Sequence, residues 1–251
     1  MKTKRIIIKV GTNSISNSDG TINKNVIKHL VEQIAKLSKD YNILIITSGA
    51  VGTGRSLIKE KFYDDITNKQ VYAAVGQVEL MKIYSNFFKK HKKIIAQILA
   101  TKADFSNREH YLNMKNCLES LFNEGIIPIM NENDVVATDE LMFTDNDELA
   151  ALIAKMMTVD LLVLLTNVDG VYDKNKKVIK CFGCNDKTPN HILSKDKSVF
   201  GRGGMQSKFK MAQVAAKSGV EVCIANSREL NGIMRIVKGE SIGTKFTRKK
   251  S

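Results

Sequence analysis

The chain lacks any apolar run approaching the ~20 residues that a membrane-spanning helix requires, which predicts a soluble protein. It also lacks a secretory leader pattern, and its four cysteines are too few and too scattered for a disulfide framework. That combination predicts free thiols in a reducing cytoplasm. Cys181-Phe182-Gly183-Cys184 is a CxxC, but it has no second pair or histidine at zinc spacing, and Cys117 and Cys223 stand alone on a helix-like and a strand-like stretch. Free thiols on a turn are the expectation, and no metal ligand is assigned. There is no internal repeat and no low-complexity linker, so no boundary divides the chain.

What is present is enough for one large core: 251 residues, 43% of them hydrophobic. The expectation is a single domain over 1–251, its core running from about 4 to 246 and a basic tail from 247 to 251. A formal net charge of +13 draws anions and raises nucleic acids, phosphorylated ligands and acidic small molecules as partners. The lysines do not form a stripe, however. Clusters such as Lys89-Lys90-His91-Lys92-Lys93 and Arg248-Lys249-Lys250 read as solvated faces and tails, so nucleic acid is the minor reading.

Apolar runs of strand length alternate with runs of helical spacing. Residues 5–10, 42–47, 94–99, 126–130, 161–166 and 220–225 read as strands. Residues 25–38, 68–88, 108–123, 148–157 and 205–217 read as helices, and a short helix and an edge strand close the chain. The fold class this predicts is α/β: an open, mostly parallel sheet with helices on both faces, plus a small hairpin or flap around 178–182. Ligands then bind at the carboxyl ends of the strands, where polar residues gather.

Several strand ends carry suitable chemistry. Lys9-Val10-Gly11-Thr12-Asn13-Ser14 breaks a buried strand into backbone N–H groups and hydroxyls beside one lysine, a plausible phosphate cradle. Ser48-Gly49-Ala50 ends the next strand and opens a helix whose first N–H groups suit an anion. Gly49 to Ser56 nearly matches a P-loop, yet Arg55 stands where the compact lysine charge belongs, and the P-loop reading is rejected. Gly76-Gln77, inside a helix, is read as a site of close helix packing. Asn131-Glu132-Asn133-Asp134 and Asp145-Asn146-Asp147 bracket one polar loop between a strand and a helix. Gly201-Arg202-Gly203-Gly204-Met205-Gln206-Ser207-Lys208 is a glycine run ending in a lysine at a helix start, where a phosphate could lie. Taken singly, Asp134, Asp145, Asn146 and Ser48 are equally well explained as turn or cap residues, whereas Asp147 would sit inside the first helical turn.

The segments Lys9 to Thr12, Thr47 to Ala50, Ala74 to Gln77, Ile129 to Asp134, Asp145 to Asp147 and Gly203 to Lys208, in that order, resemble the glutamate 5-kinases, a branch of the amino-acid kinase family. The uridylate and acetylglutamate kinases share the overall plan but carry a glycine triplet where this chain has Thr47-Ser48-Gly49. The resemblance implies ATP-dependent phosphorylation of the γ-carboxylate of L-glutamate, the first step towards proline. It implies ATP with Mg²⁺ held mainly through the phosphates, L-proline as feedback inhibitor, and a homo-oligomer, dimer or tetramer.

Position by position, the resemblance places Lys9 and Lys208 on the ATP phosphates and the transferring group, with Asp147 organising the two lysines. It places glutamate on Ser48, Gly49, Ala50, Asn131, Asp134 and Asn146. The nucleotide falls to Lys9, Gly11, Thr166, Asn167, Arg202, Gly203, Gly204, Met205, Gln206, Ser207 and Lys208. Three positions depart from the common pattern: Arg202 where many members have Thr, Asn167 where Asp is common, and Thr144 where Gly is frequent. Many members also append a PUA domain, for which 251 residues leave no room.

Overall fold

The computed structural model describes residues 3–17, 19–58, 64–137, 142–189, 192 and 204–249. At its centre lies β1 (Arg5–Val10), flanked by β2 (Asn42–Thr47) and β5 (Leu161–Thr166), both parallel to it. On one side β4 (Ile127–Glu132) and β3 (Ile95–Ala100) extend the parallel array. On the other, β7 (Glu221–Asn226) is parallel and β8 (Thr244–Thr247) antiparallel, and β6 (Cys181–Gly183) lies outermost. The order is β3-β4-β2-β1-β5-β7-β8-β6.

Because successive strand side chains point to opposite faces, the apolar runs feed two cores. Ile7, Leu44, Ile46, Leu162 and Leu164 pack on one face against α6 (Arg108–Asn123), α7 (Asn146–Met156) and α8 (Met205–Lys217). Ile6, Ile8, Ile43, Ile45 and Val163 pack on the other against α2 (Lys24–Leu37), α4 (Asp65–Lys90) and α9 (Gly232–Val237). The predicted open sheet with helices on both faces is therefore present. The short turns α1 (Thr12–Ile15) and α5 (Ala103–Ser106) are additions, each too brief to carry a periodic signal.

Helix starts follow short polar side chains. Asn23, Asp64, Asn107 and Asp145 each accept backbone N–H groups at the starts of α2, α4, α6 and α7. By contrast α3 (Ala50–Leu57) begins at Gly49 in the left-handed region with φ 100° and no side-chain cap, and α8 and α9 likewise start without one.

Two details differ from the sequence reading. The stretch around Val178 makes one antiparallel bridge with Tyr172, as a small hairpin would, but its end, Cys181–Gly183, joins the main sheet. Consequently β8 is not the edge strand: it lies between β7 and β6, because Phe246 stacks within the Phe182–Phe209 aromatic cluster and draws β6 alongside.

Candidate active site

The parallel strands β1, β2, β4 and β5 end along one edge of the sheet, bringing Gly11, Ser48, Glu132 and Thr166 to the same side. Lys9, one residue before the end of β1, shares the side of Ile7 and points into the core that α7 and α8 cover. Gly11 lies beside it: a Cβ there would be 3.4 Å from the Lys9 ammonium, in ordinary contact.

Asp147 lies in the first turn of α7 and is fully buried. Its Oδ1 is 2.7 Å from Lys9 Nζ and its Oδ2 is 2.7 Å from Lys208 Nζ. Both lysines are themselves buried, and one carboxylate separates the two cations. Burial is the largest single influence at each of the three groups, but it sets the direction only at Lys9. It lowers the Lys9 pKa, helped by Lys208 and opposed by Asp147. At Asp147 burial works to raise the pKa, but the two lysines outweigh it and hold the carboxyl below its usual range. At Lys208 burial lowers, and Asp147 and Asp145 outweigh it, so its pKa is raised. The result is a buried cluster of net positive charge at a helix N-terminus, which suits a multiply charged anion.

A second network lies alongside. Asn146 Nδ2 is 2.7 Å from Thr47 O, 2.8 Å from Ser48 Oγ and 2.9 Å from Asn131 Oδ1. Since the Thr47 carbonyl can only accept, the Asn146 amide is fixed with its nitrogen inward, and Oδ1 is left over for another donor. Asn131 is fixed likewise: Oδ1 also accepts the Glu132 N–H, and Nδ2 donates to Gln77 Oε1 at 2.9 Å. Asp145 is the cap of α7, accepting from the N–H groups of Asp147 and Glu148, while its buried Oδ2 has no partner among the described residues. The cap reading thus holds for Asp145, whereas Asn146 reaches back across the sheet edge to Ser48.

Asp134 follows β4, with Oδ1 3.5 Å from Lys69 Nζ on α4, and burial pushes its carboxyl up to about 6. Glu132 is buried beside it, accepts the Phe143 N–H at 2.8 Å, and is pushed up to about 7 by burial and then by Asp134. Gly49 and Ala50 open α3 against this network, and two close approaches hold them there. A side chain at Gly76 of α4 would overlap the Ala50 carbonyl, and one at Gly54 would overlap the Tyr72 carbonyl. Close helix packing at Gly76 is therefore observed. Its neighbour Gln77 is more than packing, because its amide reaches Asn131.

On the nucleotide side the structure joins fewer of the expected residues. Thr166 is buried at the end of β5, Asn167 beside it is exposed, and their side chains meet at 3.3 Å. The Ser227 N–H, following β7, donates to Thr166 O at 2.8 Å, and the Ser227 hydroxyl is buried without a partner among the described residues. Gly204 precedes α8 without capping it by a side chain, and Met205, Gln206 and Ser207 form its first turn ahead of Lys208. Arg202 and Gly203 lie outside the described residues. Arg55 is exposed in the last turn of α3, its guanidinium 5.8 Å from the centre of the Tyr72 ring, where it serves no phosphate loop.

Sequence reasoning passed over Lys69 and Ser227, read Gln77 as packing, and named Glu132 only within the polar loop, without a role of its own. Helical periodicity places Lys69 and Gln77 on α4 without revealing that they face a loop some sixty residues downstream.

Among the described residues no helix is long and apolar enough to cross a membrane, and no group of three His, Cys, Asp or Glu side chains is placed to hold a metal ion. All four cysteines are free, and burial pushes the Cys223 thiol up to about 12.

Residues 4–226 match the Amino acid kinase family. A glutamate 5-kinase of Chlorobaculum tepidum is 42% identical over 252 residues, covering 98% of this chain and 70% of that protein. One from Thermotoga maritima is 42% identical over 244 residues, covering 96% and 68%. One from Alkaliphilus metalliredigens is 39% identical over 253 residues and is covered to 96% of its own length. Among solved structures, the UMP kinase of Ureaplasma parvum superposes with a TM-score of 0.67 over 99% of this chain and 100% of that one, at 18% identity, a likeness of fold. Matched by its family along residues 4–226 and by relatives along almost all of its length, the chain belongs to the glutamate 5-kinases of the amino acid kinase family.

Proposed function

We propose that this protein transfers the γ-phosphoryl group of ATP to the γ-carboxylate of L-glutamate, forming L-glutamyl 5-phosphate and ADP, the first step of proline biosynthesis. The observation that carries the reading is the pair of buried lysines, Lys9 and Lys208, held on opposite oxygens of Asp147 beside the Ser48–Asn131–Asn146 network.

The chemistry asks little of an acid or base, because a carboxylate is already ionised near neutral pH. A carboxylate oxygen attacks the γ-phosphorus in line, the bond to the β,γ-bridging oxygen breaks, and ADP leaves with that electron pair. What must be supplied is position and positive charge for the equatorial oxygens. Lys9 and Lys208 supply the charge, and Asp147 keeps two mutually repelling ammonium groups aimed at one place. Ser48, Gly49, Ala50, Asn131, Asp134 and Asn146 hold glutamate, Asp134 taking the substrate ammonium. Lys9, Gly11, Thr166, Asn167 and the run Arg202, Gly203, Gly204, Met205, Gln206, Ser207, Lys208 hold the nucleotide.

Mg²⁺ fits as an ion carried chiefly by the ATP phosphates, since Asp145 Oδ2, buried and without a partner among the described residues, offers it a single protein oxygen. When bound, the ion supplies further charge to the phosphate oxygens.

Assembly into a dimer or tetramer is part of the proposal. Exposed apolar side chains at the β3 edge (Ile94, Leu99) and on α4 (Val75, Val78) support it. Feedback inhibition by L-proline, the product of the sequence this step opens, and a cytoplasmic location belong to the same reading.

The test is purified protein with MgATP and hydroxylamine, across several acids. L-Glutamate-dependent ADP release with formation of the γ-hydroxamate is expected. Turnover on uridylate or acetylglutamate instead, or salt-sensitive nucleic-acid binding without turnover, would sink the assignment.

A further inference from the structure

Glutamate presents three charged groups, and the residues named so far receive two of them. The lysine cluster meets the γ end and Asp134 the ammonium. No cationic side chain among them is assigned to the α-carboxylate. Without one, the site could not tell glutamate from an analogue that carries the same ammonium and γ-carboxylate but a neutral group at the α position.

Lys69 is placed to fill this gap. It projects from α4 with its side chain 29% exposed, and its ammonium is 3.5 Å from Asp134 Oδ1 and 3.1 Å from Met142 Sδ. The first distance is long for a charge-assisted contact, and the second partner is a thioether, a weak acceptor. Asp134 is little relieved by this neighbour, since burial still pushes its carboxyl up to about 6. Two opposite charges 3.5 Å apart, one partly open and the other nearly covered, can exchange this contact for the two ends of a zwitterion. The ammonium then sits on the aspartate and the carboxylate on the lysine, with no change in net charge.

We propose that Lys69 receives the α-carboxylate of the amino-acid substrate and, with Asp134, forms a pair that reads the zwitterion at its α-carbon. The proposal rests on the glutamate-kinase reading above. The competing acceptor is the N-terminus of α3, which has no side-chain cap. It adjoins Ser48, which Asn146 ties to the start of α7 next to Asp147, so its N–H groups belong to the reacting γ end.

The test compares L-glutamate with L-glutamic acid 1-amide, which keeps the ammonium and the γ-carboxylate but replaces the α-carboxylate with a carboxamide. Initial rates of ADP release are measured for the full chain and for Lys69→Met and Lys69→Arg. The unaltered protein should prefer glutamate by about 100-fold in kcat/KM, the scale of one hydrogen bond to a charged group. Lys69→Met should lose that preference through a higher KM for glutamate, with KM for ATP and the rate on the amide changed less than about threefold. Lys69→Arg, which keeps the charge, should retain most of the preference and controls for folding. A Lys69→Met protein that still prefers glutamate by the original factor, or that loses activity on both substrates alike, would overturn the proposal and leave the kinase reading standing. Failure of the unaltered protein to phosphorylate glutamate would overturn the kinase reading itself.

Discussion

Lys208 Nζ and Asp147 Oδ2 lie 2.7 Å apart inside the protein, and the other oxygen of the same carboxylate is 2.7 Å from Lys9. Replacing Asp147 with Asn therefore removes the one carboxylate that bridges two buried cations. Asp147→Asn is expected to lower unfolding free energy by about 3–5 kcal/mol, the usual consequence of breaking one side of a buried ion pair, measured by urea titration.

Lys208→Ala removes charge from the site of phosphoryl transfer and should cut kcat by at least about 100-fold in the hydroxamate assay. Arg55→Ala, at an exposed side chain over Tyr72, should leave kcat within about twofold. The opposite pair of results would revive the P-loop reading.

Gln77 acts at one remove, orienting Asn131, which in turn holds Asn146. Gln77→Leu leaves Asn131 Nδ2 without its acceptor and should raise KM for glutamate about tenfold, the scale of one buried hydrogen bond, with KM for ATP unchanged. Equal changes in both constants would mark a general loss of structure instead.

Asp134 must be ionised to hold an ammonium group, and its carboxyl is pushed up to about 6 by burial. Below that pH the proton competes with the substrate. KM for glutamate should then climb towards about tenfold per pH unit below pH 6, while KM for ATP stays level over the same range. Asp134→Asn should flatten the profile at a high KM.

Glu132 has the opposite linkage from a salt-bridged acid. Its folded pKa is pushed up to about 7 from 4.5, so the native state holds the proton more tightly than the unfolded chain. Stability consequently falls as pH rises from about 4.5 to 7, and the full cost is present above that window. Glu132→Gln keeps an acceptor for the Phe143 N–H and removes the titration. Its Tm relative to the unaltered protein should be higher at pH 8 than at pH 4.5.

The boundaries of β1, β2, β5, α6 and α8 were legible in sequence because each is an apolar run or helical stripe cut off by polar residues that end or cap it. The placement of Asp147 was legible too, since the third residue of Asp145-Asn146-Asp147 falls inside the first helical turn, past the cap. Other features were not. That Asn146 joins Ser48 while its neighbour Asp145 caps depends on how β2 lies beside α7, and no local pattern encodes that. Lys69 and Gln77 resemble any polar residues on a long helix. Their role appears only when Gly54 and Gly76 let α3 and α4 approach closely and carry that face of α4 to the loop after β4.

The lysine–aspartate–lysine cluster also bears on how the enzyme comes into being. Its members lie on β1, α7 and α8, near the beginning, middle and end of the chain. On a ribosome the first two emerge long before the third, and until α8 docks Asp147 has a single cation. The cluster is therefore complete only once α8 has packed against α7 and β1, so the arrangement of its three charges reports that distant parts of the chain have come together.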